Sequence, residues 1–505
     1  MKKKYAFLWL SLIFAIKTQA QNIVFVDDNF KTSLQKIVPA IDTDIDGEIS
    51  VQEAAVVLVL DLSGNQITSM PEISAFTALK TLICNYNTLS TLDLSSNTAL
   101  TYLACTNNQL STINLQNTGA LTSIDCRYNK LTALNLSDCH KLFELRTGYN
   151  QLQNLDLSAN NALYLLSCNA NQLQTINLSG AAALGALTCD SNKITTLDLG
   201  DAVLLSYLKC NNNSITAINL SKNTSLEQLY LHQNFITQLN LSTNTALLHI
   251  TCANNALSSL NLQTNLQLDQ LDCHSNQLNT LDLTTLTLLT NLNCADNQLD
   301  ALSLTNNTAL KTLNCANNLL ADIDLSANNL LENINCSNNQ IPVLDFSNNT
   351  LANTINCANN QTLLLDLSSN ATLLNLNCSA NALFALNLDA NLLLNDLNCS
   401  SNALTKLAIT KNTNLNMVNC SLNPALTYIC TAASHDTTSW VKDNQAHWNV
   451  ECATMGLDKI LVLREKTLLH IYDFMGKEVD PTLLQHGIYI YVYSDGSKEK
   501  IGIDY

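Results

Sequence analysis

Residues 42–53 read Asp-Thr-Asp-Ile-Asp-Gly-Glu-Ile-Ser-Val-Gln-Glu. Carboxylates stand at the first, third and fifth places and again at the twelfth. Hard oxygen ligands at this spacing suit calcium, which takes six to eight oxygens at about 2.4 Å in a flexible shell. Asp42, Asp44 and Asp46 would supply side-chain oxygens, Glu48 its backbone carbonyl, and Glu53 a bidentate closing ligand. Gly47 permits the sharp turn at the sixth place, and Ser50 stands where a water-mediated contact is common. One bound Ca2+ is therefore expected, with the role of folding the start of the chain. An acidic turn without metal is the alternative.

Sulfur is the second reactive type. Cysteine recurs every 21 residues at Cys84, Cys105, Cys126, Cys168, Cys189, Cys210, Cys252, Cys273, Cys294, Cys315, Cys336, Cys357, Cys378, Cys399 and Cys420. Thr147 and Leu231 fill the two gaps in the series, and Asn follows three residues after each position, from Asn87 to Asn423. Stacked inward thiols have parallel side-chain vectors, which suits a disulfide badly. The ladder reads as reduced, buried packing residues, with scattered disulfides as the alternative. Cys430 and Cys452 differ: they lie beyond the last repeat and bracket Trp440 and Trp448, so a disulfide closing a C-terminal cap is expected.

A fixed period of this size means stacked coils that close one another's core. Each unit holds two nested halves, as in Leu79, Leu82, Cys84, Asn87, Leu89 followed by Leu92, Leu94, Asn97, Leu100. Leu82 and Cys84 alternate with an outward residue, the signature of a short strand. The pattern L-x-x-L-x-L-x-x-N resembles the leucine-rich repeat family, in its short bacterial 21-residue class. The resemblance implies a repeat solenoid with a parallel β-sheet on one side and a second short strand or ribbon opposite; a short helical N-terminal cap is expected before it, and a small β-sandwich-like C-terminal domain is what the resemblance of the tail, given below, implies. The Asn rows read as structural, because Asn carries donors and an acceptor for buried turn backbone. An earlier coil at Val57–Ile67 precedes the rest by 22 residues rather than 21.

The ends extend this organisation. Lys2 to Lys4, an apolar run and Ala20 read as a signal peptide over residues 1–20. Residues 21–56 form a cap in which the 42–53 segment fits the EF-hand loop, similar to the lone calcium loops ahead of extracellular repeat arrays. Phe30, Leu34 and Val38 have helical spacing that Pro39 ends, and Ser50 with Glu53 forms a possible capping box. The solenoid spans 57–429 and its C-terminal cap 430–455. Residues 456–505 carry strand-like runs at Lys459–Leu463, Leu468–Tyr472 and Ile488–Tyr493. This stretch resembles the C-terminal sorting domain of type IX secretion in Bacteroidetes. Type IX secretion machinery and a secreted or outer-membrane-surface location are what that resemblance implies.

Catalytic motifs are missing: no G-x-S-x-G, H-E-x-x-H or phosphate loop occurs. A net charge of −17 makes nucleic acid a poor partner, and no run after the leader is long and apolar enough to span a bilayer. Function must then reside on exposed rows. From 293 to 419 the residue before each Cys position is always Asn, whereas in earlier coils it varies. The varied coils carry Tyr102, Arg127, Tyr128, Arg146, Tyr149, Tyr207, Lys209, Tyr230, His232, His249 and His274. Tyr and Arg dominate contact energy at interfaces, so these residues form the candidate ligand face. The three histidines lack a Cys or acid completing a zinc set. The expected protein is a non-enzymatic, monomeric recognition or adhesion protein of the cell surface that binds protein or glycan. A passive structural surface or matrix component is the alternative.

Overall fold

A computed structural model describes residues 21–37, 40–450, 468–473, 479, 487–493 and 498–503. It divides into two compact units, Met1–Ala181 and Ala182–Tyr505. The expected signal peptide lies outside the described residues, as do Val38, Pro39, Cys452 and the run at 459–463.

In the first unit, helix α1 (Asp28–Gln35) is capped by Asp27, whose Oδ1 accepts from Asn29 N and Phe30 N. The other carboxylate oxygen accepts from Thr68 N, Thr68 Oγ1 and Ser69 N, which ties the helix to the first coil. Phe30 is fully buried and meets Phe25 edge-on at 5.4 Å and Phe76 at 6.4 Å. These rings close the end of the repeat core. Helix α2 (Val51–Ala54) starts with the expected capping box of Ser50 and Glu53.

Coils follow, one short strand each. Val59–Asp61, Thr81–Ile83, Tyr102–Ala104, Ser123–Asp125, Glu144–Arg146 and Leu165–Ser167 pair in parallel, each with the next. The middle residue of every strand points into the core because side chains alternate along extended backbone. The first register step, Val59↔Thr81, spans the extra residue seen in the sequence, and a 3-10 turn at Pro71–Ala75 lies within that coil.

The second unit repeats the scheme from Ala186–Thr188 to Met417–Asn419. At its end Val441 adds one more rung: its N–H donates to Val418 O, and its carbonyl accepts from Cys420 N. The opposite side of the coils is extended backbone with brief parallel pairings, such as Thr91–Asp93 with Thr112–Asn114 and Leu344–Asp345 with Leu365–Asp366. In the tail, Leu468–Asp473, Gly487–Tyr493 and Lys498–Ile503 form an antiparallel sheet.

The Asn row after cysteine binds coil to coil. Asn108 Nδ2 donates to Cys84 O at 2.9 Å in the preceding coil and to Cys105 O at 3.2 Å in its own. Its Oδ1 accepts from Leu89 N at 3.1 Å. The same set recurs at Asn402, with Cys378 O, Cys399 O and Leu383 N. The second Asn row spends its donors alike, as Asn328 does on Leu304 O and Asn307 O. Sixteen buried cysteines in no disulfide accompany these rows, Cys139 standing in the second row itself. Cys430 is disulfide-bonded.

Candidate functional site

The strongest surface in the first unit lies over the strands at 123–167. At its centre two ion pairs sit on adjacent strands. Arg127 grips Asp125 through two nitrogens, at 2.9 and 2.7 Å, and Arg146 pairs with Glu144. Alternation along extended backbone fixes the partners, because residues two apart share a face. Aromatic pairs flank this centre on both edges. After the strands, Tyr128 and Tyr149 stack at 4.3 Å with planes 11° apart. Before them, Phe143 and Tyr164 stack at 5.3 Å and 7°. Tyr102 stands on the strand one coil earlier, exposed.

Tyr128 and Tyr149 also occupy an unusual backbone position. The second residue after each Cys position has a positive φ, 58° at Tyr128, 59° at Tyr149 and 55° at Tyr86. Left-handed backbone costs an ordinary side chain about 1 kcal/mol, and Asn or Ser fills this place in many other coils. Bulky rings are retained here in spite of that cost. Phe143 and Tyr164 were not among the sequence candidates. Their signal was two aromatics 21 residues apart in the row that otherwise holds Lys80, Thr101 and Thr122.

In the second unit the remaining candidates form a looser set. Tyr207 and Tyr230 approach at 5.6 Å with planes tilted 45°. Lys209 Nζ reaches Asp190 at 3.6 Å, and Tyr230 OH donates to Gln228. His274 Nδ1 lies 2.6 Å from Asp272 Oδ1, and His232 Nδ1 lies 3.2 Å from Thr251 Oγ1. Burial pushes His232 below its ordinary value. His249 is half-buried on its strand. The histidines do not converge: among the described residues, the only cluster that brings three metal-ligating side chains together is Asp42, Asp44 and Asp46.

The three aspartates meet part of what calcium requires. One ligand oxygen from each of the three lies within 4.8 Å of the others, and Gly47 has φ +86° at the turn. Hydrogen bonds hold the loop, with Ile45 N and Gly47 N donating to Asp42. Ile49 is buried, and its carbonyl accepts from Ile23 N. Glu53 stands apart. Its carboxylate accepts from Thr43 N and Oγ1 and from Ser50 N and Oγ. Burial opposes its charge, but these four bonds outweigh that and hold its acidity at about 2. The Glu48 carboxylate pairs with Lys31, leaving its carbonyl as its contribution to the loop. Three carboxylates and the turn fit the ion; Glu53 would have to exchange protein donors for it.

The thiols are unfit for nucleophilic work. Burial pushes Cys84, Cys252, Cys294 and Cys336 up to about 12, with further small contributions at Cys84, Cys252 and Cys294 from nearby carboxylates. A nucleophilic cysteine needs the opposite, a stabilised thiolate with access. The C-terminal cap is sealed by polar bonds: Trp440 Nε1 donates to Asn416 O, and Asp443 accepts from Leu422 N and Asn423 N. Trp440 meets Trp448 edge-on at 5.6 Å.

No family model matches the chain. Internalin J of Listeria monocytogenes is 36% identical over 78 residues, 15% of this chain and 8% of that protein, so the chain spans a small part of this relative. The solved functional domain of InlJ from Listeria monocytogenes, which includes a cysteine ladder, is similar at a TM-score of 0.60 and 24% identity. That match covers 96% of this chain and 99% of the other. A plant peptide hormone receptor, RGFR1 in complex with RGF2, is similar at a TM-score of 0.63 and 21% identity, covering 76% and 69%. At these identities the likeness establishes the architecture, and with the coil register it makes this chain a leucine-rich repeat solenoid of 21-residue coils.

Proposed function

We propose that the chain is a secreted or cell-surface recognition protein whose first unit binds a protein ligand through the strand face at 123–167. One observation carries this reading: two aromatic stacks flank a pair of ion-paired arginines, and one stack is built on left-handed backbone. Rigid aromatics and arginine give large contact area at low entropic cost. The peptide hormone held by the plant receptor of the same fold is consistent with it. The high-lying thiols speak for a binding rather than a catalytic role. A protein array probed with the chain lacking residues 1–20 identifies the ligand. The triple variant Tyr128→Asn, Arg146→Asn, Tyr149→Asn should lose binding by roughly 100-fold or more while its melting temperature holds. Undiminished binding would remove the face from this role.

Calcium at Asp42, Asp44, Asp46, Glu48, Ser50 and Glu53 is proposed to stiffen the N-terminal cap. Calorimetric titration with calcium should show one site and a raised melting temperature. No heat and no shift would reject it. The leader, export by type IX machinery through the 456–505 tail, and a Cys430–Cys452 bridge complete the proposal. Non-reduced peptide mapping tests the bridge.

A further inference from the structure

The uniform asparagines at the end of the array play no part in the proposed protein ligand, and their geometry is not that of a bland surface. Asn377 Oδ1 accepts from Ser379 N and Ser379 Oγ, and Asn398 Oδ1 and Asn419 Oδ1 accept the same pair of bonds from Ser400 and Ser421. Asn356 Oδ1 accepts from Ala358 N. An amide whose oxygen is pinned has its nitrogen aimed. Asn377, Asn398 and Asn419 stand on the outward side of their strands, and the NH2 group of each has no acceptor among the described residues, whereas Asn356 Nδ2 donates to Ser337 Oγ in the preceding coil. Successive coils repeat this group about every 4.8 Å. The result is a comb of fixed donors along one line.

A second line runs parallel to it, about 6.6 Å away along each strand. It carries Thr354, Asn375 and Asp396, which offer acceptors, and then Met417, two-thirds exposed. Together the lines floor a trough of about 570 Å³ that the cap residues Ser439 and Val441 close at one end. Among the described residues, Asp396 is the only ionisable side chain lining it.

We propose that this trough binds a neutral, linear, β-linked glycan chain lying along the coils. The rung spacing is close to the rise per ring of an extended pyranose chain, so successive sugars meet equivalent amides. Fixed NH2 donors facing hydroxyl and ring oxygens, with acceptors across the trough for hydroxyl protons, match a ligand that is both donor and acceptor. Met417 offers an apolar contact for a ring face. The chain's net charge of −17 disfavours an anionic polymer. This site is separate from the proposed protein face and does not rest on it.

Affinity electrophoresis of the full chain in gels containing a soluble neutral β-glucan, with polygalacturonate gels as control, tests the proposal. Retardation is expected in the neutral gel only. Asn377→Leu with Asn398→Leu should weaken it by roughly tenfold or more, the size expected for losing about two donor bonds. Met417→Glu, an exposed change that leaves the amides in place, should weaken it too and guards against misfolding of the double variant. Tyr128→Asn with Tyr149→Asn should leave it unchanged, which distinguishes this site from the protein face. Absent retardation, retardation equal in all variants, or binding only of an anionic chain, an extended peptide or a second copy would overturn the proposal.

Discussion

The strands at 123–167 in the first unit and those at 354–419 in the second are built on the same kind of buried frame and carry contrasting outward residues. Inside, both have a buried Leu, Ile or Val between two outward residues, a cysteine position, and an asparagine that bridges coils, as Asn129 and Asn402 do with the same four kinds of bond. Outside, one presents aromatic stacks and paired charges, and the other a row of aimed amides. The lesson is that coil stacking decouples the two. Each coil closes its neighbour's core whatever it displays, so the display can drift toward one ligand in one region and stay periodic in another.

If the frames are equal, their thiols should be equally silent. Cys84 in the first unit and Cys336 in the second are both pushed up to about 12 by burial. At pH 8 that suppresses the thiolate by about four orders of magnitude. Alkylation of native protein followed by peptide mapping should therefore label neither, and denaturant should expose both. Rapid labelling of one region alone would show that its core opens independently.

The next test cuts a bridge in each region. Asn129→Ala and Asn402→Ala each strand a buried N–H and carbonyls of the preceding coil, so each should cost about 2–4 kcal/mol. Equal losses in chemical denaturation are expected. A much smaller loss at either site would mean that its coils are held by display residues and not by the frame.

The frame was legible in the sequence because its physics is periodic. The 21-residue step, the 22-residue first step and the strand centres all follow from repeated identity, and the capping box at Ser50 from its local Ser-x-x-Glu pattern. The display was legible only in part. Arg127 and Tyr149 stand out by type, but Phe143 and Tyr164 meet only through coil stacking, and a one-dimensional reading hides that. The histidines at 232, 249 and 274 look like a set in sequence and do not converge: His232 and His274 share a row but stand two coils apart, and His249 belongs to a different row. Nor did the amide comb show itself. Its content lies in which way each Asn points, and the pinning bonds from Ser379, Ser400 and Ser421 decide that.

The two interruptions of the cysteine ladder sharpen the comparison further, with effects of opposite sign. Thr147 is fully buried in the first unit, and its hydroxyl has no hydrogen-bond partner. Thr147→Cys should stabilise by about 1–2 kcal/mol, because the orphaned hydroxyl is removed. Leu231 is fully buried in the second unit. There Leu231→Cys removes apolar volume and should destabilise by about 1–3 kcal/mol. Melting curves check both.

The smallest effects lie at the left-handed positions, and they separate display from frame most finely. Tyr86, Tyr128 and Tyr149 share that backbone, but only the last two stack on each other. Tyr86→Asn relieves the conformation without losing a ring partner, so it should stabilise by about 0.5–1 kcal/mol. Tyr149→Asn gains the same relief and forfeits a stacked pair, about 0.5–1.5 kcal/mol, so its net effect should lie near zero. The difference between the two variants measures the stack directly. A ligand face selected for binding predicts that this difference grows when ligand is present, since the rings are then held from both sides. A mere product of sequence drift predicts that ligand leaves it unchanged.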